Sequence, residues 1–255
     1  MKQTKIAQIP RWSLLGRVIS EIVLRLFFPT KIIDETHALQ KAIEAAKEGR
    51  GLVIIFTHFS LRDAMEVNRS IIFKNPVLKN REAINPLAFH QYNKFLEHIG
   101  KFYQATFFPI VNNSTIAKKG YEHLPRGKGL SEFISASCDT LRHGGVVTLA
   151  LNATRKDKLD LDDPQKPIGY FIASLQAKGM RDLGLLIVGF GVEKAKSYSK
   201  KQVGGMNFGK TYVINIGKYL TLEKLLAKPD INGKVSNIDK FLRKEMTKIV
   251  PKEYL

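Results

Sequence analysis

The sequence predicts an α/β domain: a mostly parallel, mixed sheet flanked by helices on both faces, with an N-terminal helical appendage. Three observations predict it. Apolar, β-branched runs at 52–56 (LVIIF), 146–151 (VVTLAL) and 185–190 (LLIVGF) have the length and composition of buried strands. Segments with apolar residues at helical spacing alternate with them, at 34–47, 130–141 and 168–177. The 255 residues, 44% of them hydrophobic, are enough for one sizeable core, with no internal repeat and no low-complexity tract. The chain divides into the appendage, 1–34, and the α/β domain, 35–255.

Residues 1–9 are polar and basic, and Pro10 and Pro29 then bracket room for a helix of about 18 residues, ~27 Å long. Leu15, Val18, Ile19, Ile22, Val23 and Leu26 recur at helical spacing, while Arg17, Glu21 and Arg25 form an opposite strip. With Trp12, Phe27 and Phe28 at its ends, this helix suits either a membrane interface or packing on the rest of the protein. A second helix, 34–47, stops at Gly49-Arg50-Gly51 and leads into the strand 52–56, which breaks off at Thr57-His58. A helix opens again at Ser60. A short strand at 83–89 and a helix at 91–102, with Phe95, Leu96 and Ile99 inward, precede a strand at 105–111 whose Pro109 indicates an edge position. Residues 112–129 read as a polar, basic loop carrying Lys118, Lys119, Arg126 and Lys128.

The helix 130–141 ends at His143-Gly144-Gly145, where a histidine near the negative helix end and a glycine after it make a structural stop. The strand 146–151 runs out at Asn152-Ala153-Thr154-Arg155 into a charged loop. The helix 168–177 and strand 185–190 follow, then a basic loop at 193–210, a strand at 212–216 that closes the sheet, and terminal helices at 221–228 and 237–249.

Charge is the unusual compositional feature. Forty-one Lys plus Arg against 23 Asp plus Glu give a net charge of +18, so the surface attracts polyanions: nucleic acid, an anionic bilayer, or phosphorylated substrates and acyl carriers. Aromatic residues fall in apolar runs such as FFP rather than between lysines and arginines, so no nucleic acid partner is expected. Cys138 is the single cysteine, which excludes an internal disulfide and a cysteine metal site, and its helix makes it a small core residue. The histidines are too scattered for a metal cluster. Charges interrupt every apolar run before about 18 residues, and Arg17, Glu21 and Arg25 interrupt any secretory signal, so a cytoplasmic location is expected.

His58 and Asp63 stand five positions apart, H-x-x-x-x-D, at the carboxyl end of a strand, where open α/β sheets place their chemistry. On one continuous helix this spacing is about 500° of rotation and the side chains diverge by roughly 140°. If His58 lies in the turn before the helix, with Ser60 as N-cap and Asp63 in the first turn, the carboxylate can reach back to the imidazole. Asp63 would then orient the ring and stabilise the imidazolium, leaving the other nitrogen to take a proton from a hydroxyl. Ser60 and Asp63 also read as a capping box, with Asp in place of Glu, which needs no catalytic role.

The stretch Thr57-His58-Phe59-Ser60-Leu61-Arg62-Asp63 resembles the first motif, N-H-x-S-x-x-D, of the glycerolipid acyltransferases, with Thr in place of Asn. LRHGGVVTLALNATR resembles the helix, glycine turn and strand before that family's F-P-E-G-T-R, with Asn152 where Glu would stand. Lys166-Pro167-Ile168-Gly169 and LLIVGFGV follow in the family's order, and Asn112-Asn113 occupies the place of its second-motif arginine. The likeness covers roughly residues 35–220.

The resemblance implies an acyltransferase of phospholipid biosynthesis. It would move a fatty acyl group from an acyl thioester, acyl-CoA or acyl carrier protein, to a hydroxyl of a glycerol-phosphate or lysophospholipid. No cofactor beyond the thioester co-substrate and no metal are implied. His58 would be the general base and Asp63 its partner, with Ser60, Arg62, Thr154 and Arg155 at the substrate and Lys118, Lys119 and Arg126 as candidates for the missing arginine. Backbone N–H groups at the Ser60 helix start would serve as oxyanion donors. The enzyme would sit peripherally on the cytoplasmic face of an anionic membrane. A non-enzymatic anionic lipid- or nucleic-acid-binding protein, or a catalytically impaired relative prompted by Asn152, remain alternatives to it.

Overall fold

The computed structural model describes residues 22, 26–94, 97, 100, 105–152, 158–159, 161, 166–193 and 209–255. Among the described residues seven strands, β1 (Thr30–Ile33), β2 (Gly51–Phe56), β3 (Ala83–Ala88), β4 (Ala105–Ile110), β5 (Val146–Ala150), β6 (Leu183–Val192) and β7 (Tyr212–Thr221), form one sheet. Their order is β1-β7-β6-β2-β5-β3-β4. β4, β3, β5, β2 and β6 are mutually parallel, β7 turns antiparallel to β6, and β1 pairs parallel with β7. The fold is therefore α/β with a mostly parallel, mixed sheet.

Helices cover both faces because the central strands β2 and β6 are apolar along their whole length. Every residue of β2 and of β6 is buried. On one face, α1 (Ala38–Lys47) and α2 (Leu61–Glu66), which continues as a π-helix over Val67–Phe73, pack Ala42, Val67 and Ile71 against Ile54, Phe56 and Val188. On the other, α4 (Leu130–Arg142), α5 (Pro167–Ala177) and α7 (Val235–Thr247) pack Phe133, Phe171 and Leu242 against Val53, Val147 and Ile187. Cys138 belongs to this second layer at 2% exposure. Two further short helices are α3 (Asn113–Ile116) and α6 (Leu222–Leu226).

This arrangement places a topological switch point at the carboxyl ends of β2 and β5. The chain leaves β2 over the face of α2, whereas it leaves β5, the parallel neighbour of β2, over the face of α5. Where connections from adjacent strands part to opposite faces, the space outside their carboxyl ends is left open.

The structure departs from the sequence expectations in places. The sheet is closed by β1, a four-residue strand too short to give a period, and β7 extends to Thr221. The loop after β4 contains α3, because the Asn112 side chain accepts the Thr115 N–H at 3.0 Å and caps a single turn. Pro109 does lie in an outer strand, β4. The β3–β5 ladder runs through Ala83↔Val146 and Ile84↔Val147 and stops short of Pro86, which has no N–H to offer. The expected helix at 91–102 is preceded by a 3-10 turn, Phe89–Gln91, and most of it lies outside the described residues. So does most of the expected helix between Pro10 and Pro29; Ile22, Leu26 and Phe27, at its described end, are exposed. Among the described residues no helix is long and apolar enough to cross a membrane.

Candidate active site

Thr57, one residue past β2, is tied to β6: its N–H donates to the Val188 carbonyl at 3.2 Å, and its Oγ1 accepts the Phe190 N–H at 3.0 Å. Leu151 N–H donates to the Phe56 carbonyl at 2.7 Å, which extends the β2–β5 ladder on the other side. His58 thus leaves a point fixed by both neighbouring strands. Its side chain is 22% exposed.

The next residues reverse the chain. Ser60 is extended (φ −134°, ψ 167°) and caps α2, its Oγ accepting the Arg62 N–H at 3.1 Å. The Asp63 carboxylate reaches back across the same turn. Its Oδ2 accepts the N–H groups of Phe59 at 2.5 Å and Ser60 at 2.8 Å, and its Oδ1 accepts the Ser60 hydroxyl at 2.8 Å. This is a complete capping box, and it leaves Asp63 fully buried.

The same folding-back brings Asp63 Oδ2 to 3.7 Å from His58 Nδ1. At 3.7 Å the pair is in electrostatic contact but longer than a hydrogen bond. Nδ1 is buried and has no hydrogen-bond partner among the described residues. The geometry is therefore that of a carboxylate anchored by backbone N–H groups with an imidazole in electrostatic range of it.

Several of the residues expected around this pair have other work. Arg62 is enclosed by the protein. It is 1% exposed, its Nε donates to Glu66 Oε1 at 3.0 Å, and its Nη2 donates to the Pro29 carbonyl and to Thr30 Oγ1, both at 2.9 Å. Burial pulls its pKa down, and the Glu66 charge opposes that pull. Glu66 also accepts from Arg69 Nη1 at 3.2 Å, Ser70 Oγ at 2.6 Å and Thr30 Oγ1 at 3.0 Å. Arg62 therefore belongs to a buried ionic cluster joining α2 to β1, because a guanidinium that has left water must have its donors matched. Ser60, at 2% exposure, is likewise engaged in the capping box rather than presented to a substrate. The helix start does not supply the expected oxyanion donors from Phe59, Ser60 or Arg62, whose N–H groups already bind Asp63 and Ser60.

At the end of β5, Asn152 is fully buried. Arg243 of α7 donates to Asn152 Oδ1 and to the Leu151 carbonyl, both at 3.1 Å, and pairs with Asp239 Oδ2 at 2.5 Å. Asn152, a neutral amide, therefore stands beside an arginine that pairs with Asp239. Thr154 and Arg155 lie outside the described residues. Lys118, Lys119 and Arg126 are exposed and follow β4. They share the carboxyl edge with His58, but β3 and β5 intervene, so β4 lies about 14 Å along the sheet from β2. On the same edge His90 Nδ1 lies 3.1 Å from Thr115 Oγ1, and burial, with Lys118 nearby, lowers its pKa. Among the described residues no group of three or more His, Cys, Asp and Glu side chains could hold a metal.

Comparison with known proteins adds one likeness. No protein-family profile matches the chain, and no curated sequence is similar to it. Among solved structures it is similar to the 1-acyl-sn-glycerophosphate (LPA) acyltransferase PlsC from Thermotoga maritima, at 10% sequence identity and a TM-score of 0.46. The match covers 86% of this chain and 72% of that one.

Sequence reasoning missed Glu66, Arg243, Asp239 and Tyr212, whose hydroxyl lies 3.0 Å from Ser60 Oγ. The first three carried a usable signal. Arg62 and Glu66, and Asp239 and Arg243, stand four apart on helices, the spacing of an ion pair.

Proposed function

We propose that this protein is an acyltransferase that moves a fatty acyl group from an acyl thioester to a hydroxyl of a glycerol-phosphate or lysophospholipid, a step of phospholipid synthesis. One observation carries the reading: His58 stands against a buried, hydrogen-bonded carboxylate, Asp63, at the carboxyl end of the central strand. With the N-H-x-S-x-x-D resemblance, this favours His58 as the base and Asp63 as its partner.

In this reading the acceptor hydroxyl hydrogen-bonds to the His58 nitrogen remote from Asp63. As the oxygen attacks the thioester carbonyl, the C–O bond forms and the proton passes to the imidazole, while the carbonyl π electrons move to oxygen. The imidazolium is stabilised by Asp63. Collapse of the tetrahedral intermediate breaks the C–S bond, and the departing thiolate takes the proton from His58 as a free thiol.

No acyl-enzyme is required. Cys138 is 2% exposed and burial pushes its thiol pKa up, the reverse of an activated nucleophile. Arg155 and Thr154, with Lys118, Lys119 and Arg126 in support, are the proposed holders of the acceptor phosphate. The donor is acyl-CoA or acyl carrier protein. The +18 charge suits a peripheral enzyme at an anionic, cytoplasmic membrane face.

The test is product mass spectrometry with mixed acyl-CoA and acyl carrier protein donors against glycerol 3-phosphate and lysophospholipid acceptors. The wild-type chain should form an ester, and His58→Ala should lower its rate by about 10³-fold or more with its unfolding midpoint unchanged. Full turnover in His58→Ala would exclude His58 as the base. No ester from any pair would reject the activity.

A further inference from the structure

Asp63 can support His58 only if its carboxylate is kept from turning, and one of its oxygens is held by a side chain alone. Oδ2 has two backbone N–H donors, but Oδ1 rests on the Ser60 hydroxyl at 2.8 Å. A serine has a single hydroxyl proton, and a carboxylate can only accept, so that proton lies toward Asp63. The contact between Ser60 Oγ and the Tyr212 hydroxyl at 3.0 Å therefore has one direction, with Tyr212 donating. The result is a directed chain, Tyr212 O–H to Ser60 O–H to Asp63 Oδ1, in which each bond polarises the next.

Tyr212 is built to keep that hydroxyl in place. It opens β7 and is 2% exposed, its N–H donates to the Pro29 carbonyl at 2.8 Å, and its ring stacks on Phe190 with centroids 5.5 Å apart. The Arg62 guanidinium carbon lies 4.5 Å from the ring centroid. A cation against the ring draws electron density from it and makes the phenol a stronger donor. This gives the buried ionic cluster of Arg62 and Glu66 a connection to the candidate site.

We infer that Tyr212 is a positioning residue for the His58–Asp63 pair, acting through Ser60 to hold the Asp63 carboxylate toward the imidazole. Its hydroxyl acts on the pair through Ser60 rather than on the reacting atoms. Its kinetic consequence rests on the acyl-transfer reading, whereas the hydrogen-bond chain does not.

Tyr212→Phe in the full chain removes one oxygen and keeps the ring. With an acyl-CoA donor and a lysophosphatidic acid acceptor, kcat should fall about tenfold while KM for each substrate stays within about twofold. In a Ser60→Ala background, where the chain is already cut, the same substitution should cost less than about twofold. Hydrogen exchange at the Phe59 and Ser60 amides, read by NMR, should speed up in Tyr212→Phe while the amides of Val53 and Val147 stay unchanged. An unaltered kcat, a loss confined to KM, or an equal loss in the Ser60→Ala background would overturn the inference, and so would unaltered exchange at Phe59 and Ser60. If the wild-type chain transfers no acyl group, the functional reading fails, and the exchange rates alone then decide whether Tyr212 holds Asp63.

Discussion

At the amino edge of the sheet three helices end on the same backbone device, whereas at the carboxyl edge side chains shape the turns. Before β2, β5 and β6 the chain passes through Gly49, Gly144 and Gly179 with φ of 91°, 74° and 76°. In each case the glycine N–H and the next N–H fold back on carbonyls of the last helical turn: Gly49 on Ala46 and Arg50 on Ala45, Gly144 on Leu141 and Gly145 on Thr140, Gly179 on Gln176 and Met180 on Leu175. At the carboxyl edge Ser60 and Asp63 form a capping box, Asn112 caps α3, and Arg243 holds Asn152. At the first edge the reversal itself is made by glycine and backbone N–H groups, with Arg81 donating to the Gly144 and Ala46 carbonyls beside it. At the second edge side chains make the turns, at the strand end where His58 lies.

The comparison can be broken by substitution. The largest effect should come from Glu66→Ala, which leaves Arg62 and Arg69 buried without their carboxylate and should destabilise the fold by about 3–5 kcal/mol in urea unfolding. A loss below about 1 kcal/mol would show that the cluster is not holding the site's base. Asp63→Asn comes next: it keeps the shape, replaces one carboxylate oxygen with a donor, and should lower acyl transfer at least 10²-fold for about 1–2 kcal/mol of stability. Equal activity in that variant would reduce Asp63 to its capping role.

The amino edge should respond in stability alone. Gly144→Ala would combine a left-handed φ with a methyl group placed against Arg81 and the Gly49 carbonyl, and should cost about 2–3 kcal/mol with kcat unchanged. Gly49→Ala has the same strained φ but open space around the new methyl, so about 1 kcal/mol is expected. Gly144 and Gly49 thus separate crowding from backbone strain. A large fall in kcat in either variant would mean that the two edges are coupled.

Legibility in the sequence follows the same division. The strands β2, β5 and β6 and the glycine stops at Gly49 and Gly144 were readable because each is decided within a few residues, by apolar runs and positive φ. The turn between His58 and Asp63 was readable as a choice between a His–Asp pair and a capping box, and the structure shows the Asp63 carboxylate completing the box while lying 3.7 Å from His58 Nδ1. What escaped was decided by distant residues. Arg62 sits in a motif-like segment, yet its donors are taken by Pro29 and Thr30, more than thirty positions away. Asn152 meets Arg243 across 91 positions, and Tyr212 meets Ser60 across 152. No local pattern reports such pairs.

The outer strands have a consequence for how this protein behaves when crowded. β1 is four residues long and carries Lys31, and β4 contains Pro109, so neither rim offers an unbroken row of N–H and C=O groups. A sheet grows sideways by templating another chain on such a row. Here lateral growth is blunted at both rims, by brevity and charge on one and by a missing donor on the other, so copies gathered at high local concentration have little means of polymerising edge to edge.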